Sequence, residues 1–132
     1  MKYYIGKTLN TDFESAISKT KEALQKEGFG VLSEIDIHEK LKSKLDVDFR
    51  KYKILGACNP PLAYQALQKE NKIGTMLPCN VIVQQLDDNL VEIAAIDPFA
   101  SMQAVENEAL LELAKQVKQK LENVISNIAI NK

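Results

Sequence analysis

The chain has 132 residues, 17 Lys and Arg against 18 Asp and Glu, and a formal net charge of −1. A chain of this length forms one domain, here predicted over residues 1–132, and buries about two-thirds of its unfolded surface. The composition, 45% hydrophobic and 27% charged, is typical of a globular protein. Because the net charge is close to zero, no global field attracts the protein to nucleic acid or to an anionic membrane, and we expect neither partner.

The compartment is predicted from the N-terminus and the cysteines. The opening sequence MKYYIGKTLN lacks the apolar region of a signal peptide, and no apolar run approaches the roughly 18 residues of a membrane span. We therefore expect a cytoplasmic protein whose two cysteines are reduced thiols. Cys58 and Cys79 are too far apart in sequence for a Cys-x-x-Cys motif, and with one histidine they do not make a zinc signature.

The first part of the chain alternates strands and amphipathic helices. Thr11 is predicted to cap the first helix, with Glu14 completing a capping box. A glycine, Gly28 or Gly30, is expected to end that helix. The predicted elements are a strand at Tyr3–Thr8, a helix at Asp12–Glu27, a strand at Gly30–Asp36 and a short helix at Ile37–Leu45.

The segment from Tyr52 to Val83 contains both cysteines, each followed by an asparagine. An apolar strand is predicted at Tyr52–Ala57. Asn59 is a good N-cap, Pro60 suits the first helical position, and the helix is expected to run to Asn71. Cys58 therefore precedes a helix N-terminus, where the macrodipole favours a thiolate.

The last part of the chain is predicted as a hairpin followed by a long helix. Strands at Cys79–Leu86 and Val91–Ile96 are joined by a polar turn at Asp87-Asp88-Asn89. A helix from about Met102 to Ile125 has an apolar stripe with a helical period. Together the elements predict an α+β protein with helices on one face of a mainly antiparallel sheet, the last helix lying across it.

The stretches ILGACNPPLAYQAL and IGTMLPCNVIV resemble the signature of the domain of unknown function 302 family. The resemblance is dense over about a quarter of the chain, and the spacing of its two Cys-Asn pairs fits. It implies a small two-layer α+β fold of TBP-like or helix-grip-like architecture and a homodimer, to which Ile128 and Ile130 are candidate contributors. It implies no established reaction and no catalytic residues.

Four residues of the motif segment are candidates for ligand binding: Cys58, Asn59, Cys79 and Asn80. Cys58 is either a reactive thiolate at a helix N-terminus or a small buried hydrophobe. Cys79, in an apolar strand, is expected to be the more inert thiol. The asparagines are most simply caps and turn formers. His38 is interpreted as a surface residue, so no catalytic or metal-binding residue is predicted.

Three functions fit these observations. The first is a module that binds a small molecule or partner in an apolar cavity near the Cys-Asn segment, and the residues favour binding over catalysis. The second is a thiol-based redox or soft-metal protein using Cys58 and Cys79. The third is a structural or assembly domain in which the motif is a well-packed part of the fold. The sequence identifies no cofactor and no ligand.

Overall fold

The protein contains one five-stranded sheet in which every neighbouring pair of strands is antiparallel. The computed structural model describes residues 2–128. The strands are β1 (Tyr4–Leu9), β2 (Gly30–Asp36), β3 (Tyr52–Cys58), β4 (Cys79–Asp87) and β5 (Leu90–Ile96), in the spatial order β1-β5-β4-β3-β2. The helices are α1 (Phe13–Lys26), α2 (Ile37–Leu45), α3 (Pro60–Lys69), α4 (Pro98–Ser101) and α5 (Glu108–Asn127), with one 3₁₀ turn at Ile73–Met76.

The main core lies between one face of the sheet and the helices α1 and α5. Alternate residues of the central strands point to this face, so β4 contributes Val81 and Val83 and β5 contributes Val91 and Ile93, all fully buried. The buried apolar faces of α1 and α5 cover these strand residues, and the two helices contact each other. The predicted α+β class, with helices covering one face of an antiparallel sheet, is confirmed.

The cap of α1 differs from the prediction. The side chain of Asp12, not that of Thr11, accepts the backbone N–H of Ser15, at 3.0 Å. Thr11 is buried, and the helix begins one residue later than expected, so the predicted capping box with Glu14 is wrong. The side chains of Thr11 and Asp12 can both accept backbone N–H groups of the first turn. The Asp12 carboxylate is the stronger acceptor, because its hydrogen bond is charge-assisted. The helix ends at Lys26, and Gly28, the residue after the C-cap Glu27, adopts a φ of +84°, which confirms the predicted terminating glycine.

The long last helix is shorter than predicted. Asn107 has an extended backbone, and its side chain caps the backbone N–H of Leu110 at 3.2 Å, so α5 begins at Glu108. The residues before it form the separate short helix α4, whose first turn is capped by Asp97. The prediction that the helix begins near Met102 is therefore wrong, whereas its apolar stripe from Leu110 onwards is buried. Ala109, the second residue of α5, is exposed.

The opposite face of the sheet carries no helix among residues 2–128. Its side chains include Tyr4, Asn80, Ile82 and Gln84, and it forms a groove of about 380 Å³ with Tyr3 at one side. Arg50 donates a hydrogen bond to Gln84 at 2.8 Å, and Gln84 donates one to Glu92 at 2.7 Å. A row of hydrogen-bonded polar side chains therefore crosses this surface, which also carries apolar residues. We call it the open face. Within residues 2–128, none of the helices has the length and apolarity needed to cross a membrane.

Candidate functional site

The two halves of the cysteine segment meet where β3 ends and β4 begins. Ala57 pairs with Cys79, and Gly56 pairs with Asn80. A Cβ atom at Gly56 would contact Ser33 Oγ and would stand only 2.9 Å from Pro78 Cγ, below ordinary van der Waals contact. The absence of a side chain at Gly56 thus allows Pro78, which follows a cis peptide bond, to lie against β3.

Asn59 has a structural role at this junction. Its side-chain oxygen accepts the backbone N–H of Leu62 at 3.4 Å, which confirms the predicted N-cap of α3. Its amide nitrogen donates to the carbonyl of Glu27 at 3.3 Å, and the Glu27 carboxylate accepts from Asn123 of α5 at 3.2 Å. Asn59 therefore ties the start of α3 to the end of α1, and Glu27 continues the connection to α5.

A narrow cleft lies beside this junction, between α3, α5 and the end of the sheet. Its volume is about 40 Å³. We call it the cysteine cleft because Cys58 and Cys79 both line it. Carbon and sulfur atoms dominate its walls, and Asn59 is the one residue with a polar side-chain amide in the set. The lining residues are Phe29, Ala57, Cys58, Asn59, Leu62, Ala63, Ala66, Leu77, Pro78, Cys79, Pro98, Met102, Leu110, Leu113, Ala114 and Val117.

The two thiols have different environments. Cys58 is half-buried, whereas Cys79 is only 7% exposed. Burial raises the pKa of the Cys79 thiol from 9.0 to about 11, and the neighbouring Cys58 thiol adds to this increase. Cys79 is therefore a neutral thiol at physiological pH. Cys58 follows Ala57, the residue that pairs with Cys79, so the two cysteines are neighbours across the β3–β4 pair.

Asn80 is separated from the other three predicted residues. As β4 alternates, Cys79 points to the covered side and Asn80 to the open face, where it lines the groove with Ile82 and Gln84. The structure thus brings Cys58, Asn59 and Cys79 to one cleft and leaves Asn80 outside it. Period-two alternation predicts this separation for consecutive strand residues.

His38 lies at the opposite end of β3 from Cys58. Its Nδ1 accepts the backbone N–H of Tyr52, the first residue of β3, at 3.0 Å, and Cys58 is the last. Six residue steps along a strand span about 20 Å, so these residues form no Cys–His couple. Ligand-capable atoms of Asp36, His38 and Glu39 lie within 4.8 Å of one another, but Asp36 already pairs with Lys53 at 3.6 Å.

Sequence reasoning missed the contribution of the loop after β5. Pro98 and Met102 line the cysteine cleft, and Met102 is only 5% exposed. Asp97 positions this loop, because its carboxylate caps α4 and also pairs with Lys118 of α5 at 3.1 Å. The sequence Asp97-Pro98 after a strand could have predicted a helix start here, since Asp is a strong N-cap and Pro suits the first helical position.

Fold and cleft together define a class: a small α+β domain with an antiparallel sheet, one covered face and a cysteine-lined apolar cleft at the end of two central strands. The sequence model of the domain of unknown function DUF302 matches residues 5–128. The chain belongs to this family.

A solved structure supports the same assignment. The crystal structure of the uncharacterized conserved protein DUF302 from Bacillus stearothermophilus is similar to this chain with a TM-score of 0.90 and 28% sequence identity. The similarity covers 98% of this chain and 100% of that chain. No curated protein matches the sequence.

Proposed function

We propose that the protein is a non-enzymatic binding module whose cysteine cleft takes a small apolar group. The observation that supports this proposal is the composition of the cleft, which combines apolar walls from α3 and α5 with the Cys58 and Cys79 side chains. Concave apolar sites with few polar groups are the usual form of small-molecule sites. We place this function in a reducing compartment, where both thiols remain free.

The size of the cleft restricts its ligand. A volume of about 40 Å³ corresponds to roughly three water-sized spheres. A short aliphatic chain or a branched aliphatic end group has this size, whereas a large ring system does not. The polar part of such a ligand must remain outside, near the Asn59 end of α3, because the carbon and sulfur walls offer it few hydrogen bonds.

The experiment is a titration with n-butanol followed by amide chemical shifts of ¹⁵N-labelled protein. We expect shifts concentrated at cleft residues such as Ala57 and Leu62. The variant Ala114→Leu fills the cleft, since Ala114 lines it and is 2% exposed, and should abolish these shifts. Ala109→Leu is the matched control, because Ala109 is on the same helix but exposed. Equal responses in both variants, or shifts spread over the open face, would remove the proposal.

We also propose that the protein is a homodimer and that the open face forms the contact. Five strands spaced about 4.8 Å apart, with about six residues each, make a surface of roughly 24 by 20 Å. Pairing two such surfaces buries on the order of 1,000 Å², the lower limit for a specific interface. Arg50 and Glu92 on the same face give two copies complementary charges. Ile128 is not available for this contact, because it is 2% exposed in the chain's own core; Ile130 lies outside the described residues.

The dimer is tested by light scattering at tens of micromolar protein. Ile82 points to the open face, and Ile82→Lys should convert a dimer to a folded monomer. Leu67→Lys is the control, because Leu67 is an exposed apolar residue on α3, away from the sheet. A monomeric wild-type protein would refute the dimer, and an unchanged dimer in Ile82→Lys would refute this interface.

A further inference from the structure

The cysteine cleft contains three sulfur-bearing side chains from three separate chain segments. Cys58 ends β3, Cys79 begins β4, and Met102 follows α4. Because Cys79 pairs with Ala57, the residue before Cys58, the Cα atoms of the two cysteines are about 6 Å apart in ordinary antiparallel geometry. Met102 lines both this cleft and the adjoining groove, where Cys79 appears again. All three sulfur-bearing residues therefore line one cleft, and Cys79 and Met102 also share the adjoining groove.

We infer that Cys58, Cys79 and Met102 form a binding site for a soft monovalent metal cation of the Cu(I) type. Two thiolates and one thioether are the ligands that select Cu(I) over harder cations such as magnesium or calcium. Apart from Asn59, whose side-chain oxygen already caps α3, the neighbouring side chains are apolar, so the cleft lacks the set of oxygen ligands that those harder cations require. The inference does not depend on the proposed apolar ligand.

The binding step balances without electron transfer. One Cu(I) ion enters, the two thiols release their protons to solvent, and the thioether of Met102 binds unchanged. The site then carries one net negative charge. The N-terminus of α3, a helix of ten residues that begins at Pro60 directly after Asn59, provides a compensating positive dipole beside Cys58.

The experiment measures competition for Cu(I) between the intact protein and bicinchoninate, under anaerobic and reducing conditions. The wild type should remove one equivalent of Cu(I) from the chelator. Cys58→Ala should lose this ability, and Met102→Leu should weaken it by roughly tenfold or more. Leu86→Met is the control for the exchange of Met and Leu, since Leu86 is 46% exposed and lies at the far end of β4 from Cys79, and its affinity should equal that of the wild type.

Each outcome decides the inference. No competition by the wild type, or full competition by Cys58→Ala, overturns the site. Equal affinity of Met102→Leu and Leu86→Met overturns the three-sulfur assignment. Thermal melts verify that each variant is folded. We expect Cys58→Ala to fold, because the side chain that it removes is only half-buried. The two proposals fail separately: a wild type that gives no butanol shifts but removes one equivalent of Cu(I) supports this inference alone, and the reverse pattern supports the apolar ligand alone.

Discussion

Substitution of Gly56 by alanine should destabilise the fold by about 2 kcal/mol. A Cβ at this position would lie 2.9 Å from Pro78 Cγ, and ordinary contact begins at 3.4 Å, so the proline ring must move by about 0.5 Å while Ser33 Oγ obstructs the same atom. Overpacking of this kind costs about 1–3 kcal/mol. With a urea m-value of about 2 kcal/mol/M, the midpoint of unfolding should fall by about 1 M.

Two further variants identify the cause. Gly30 is on the neighbouring strand β2 and has no atom within 4 Å of a built Cβ, so Gly30→Ala should leave stability unchanged or raise it by about 0.4–1 kcal/mol. The double variant Ser33→Ala with Gly56→Ala should recover part of the loss, because one of the two obstructing groups is removed. A Gly56→Ala midpoint within about 0.25 M of the wild type would show that close approach to Pro78 does not constrain this position.

Leu113→Ala should cost about 2–5 kcal/mol in urea unfolding, because Leu113 is 4% exposed; a loss below about 1 kcal/mol would contradict its core position. Iodoacetamide should label Cys58 faster than Cys79 near neutral pH, as read by peptide mass spectrometry, and equal rates would contradict the difference in burial and the raised pKa of Cys79. Since the folded pKa of Cys79 is about 11 against 9.0 when unfolded, stability is retained below pH 9 and lost between pH 9 and 11. The wild type should lose about 2–3 kcal/mol more than Cys79→Ala over that interval, and parallel pH profiles would refute the shift.

The strands and most helices were predictable because their signals are local. The predicted bounds of β2 and α2 agree with the structure, and those of β3, β4 and β5 differ by one residue at one end. The start of α5 was not predictable from its apolar stripe, because the stripe does not show that Asn107 has an extended backbone and caps the helix there. Periodicity reports which face is apolar, whereas a single cap decides where a helix begins.

The candidate site was predictable only in part, for a different reason. Sequence neighbours such as Cys58 and Asn59 were correctly placed at a strand–helix junction. Met102 reaches the same cleft from more than 20 positions beyond Cys79, and no local pattern indicates that proximity. Asn80 is next to Cys79 in the sequence but does not line the cysteine cleft, because strand alternation turns its side chain to the open face.

The pairing of β1 with β5 has a consequence for the folding pathway. β4 and β5 are joined by a turn of two residues, whereas Leu9 pairs with Val91, roughly 80 positions away. Closing the longer loop costs about 3 kcal/mol more in chain entropy, so the meander from β2 to β5 should form first and β1 should join late. In stopped-flow kinetics, Leu9→Ala should then mainly accelerate unfolding, while Val83→Ala in β4 should mainly slow folding. A slower folding rate for Leu9→Ala would reverse that order.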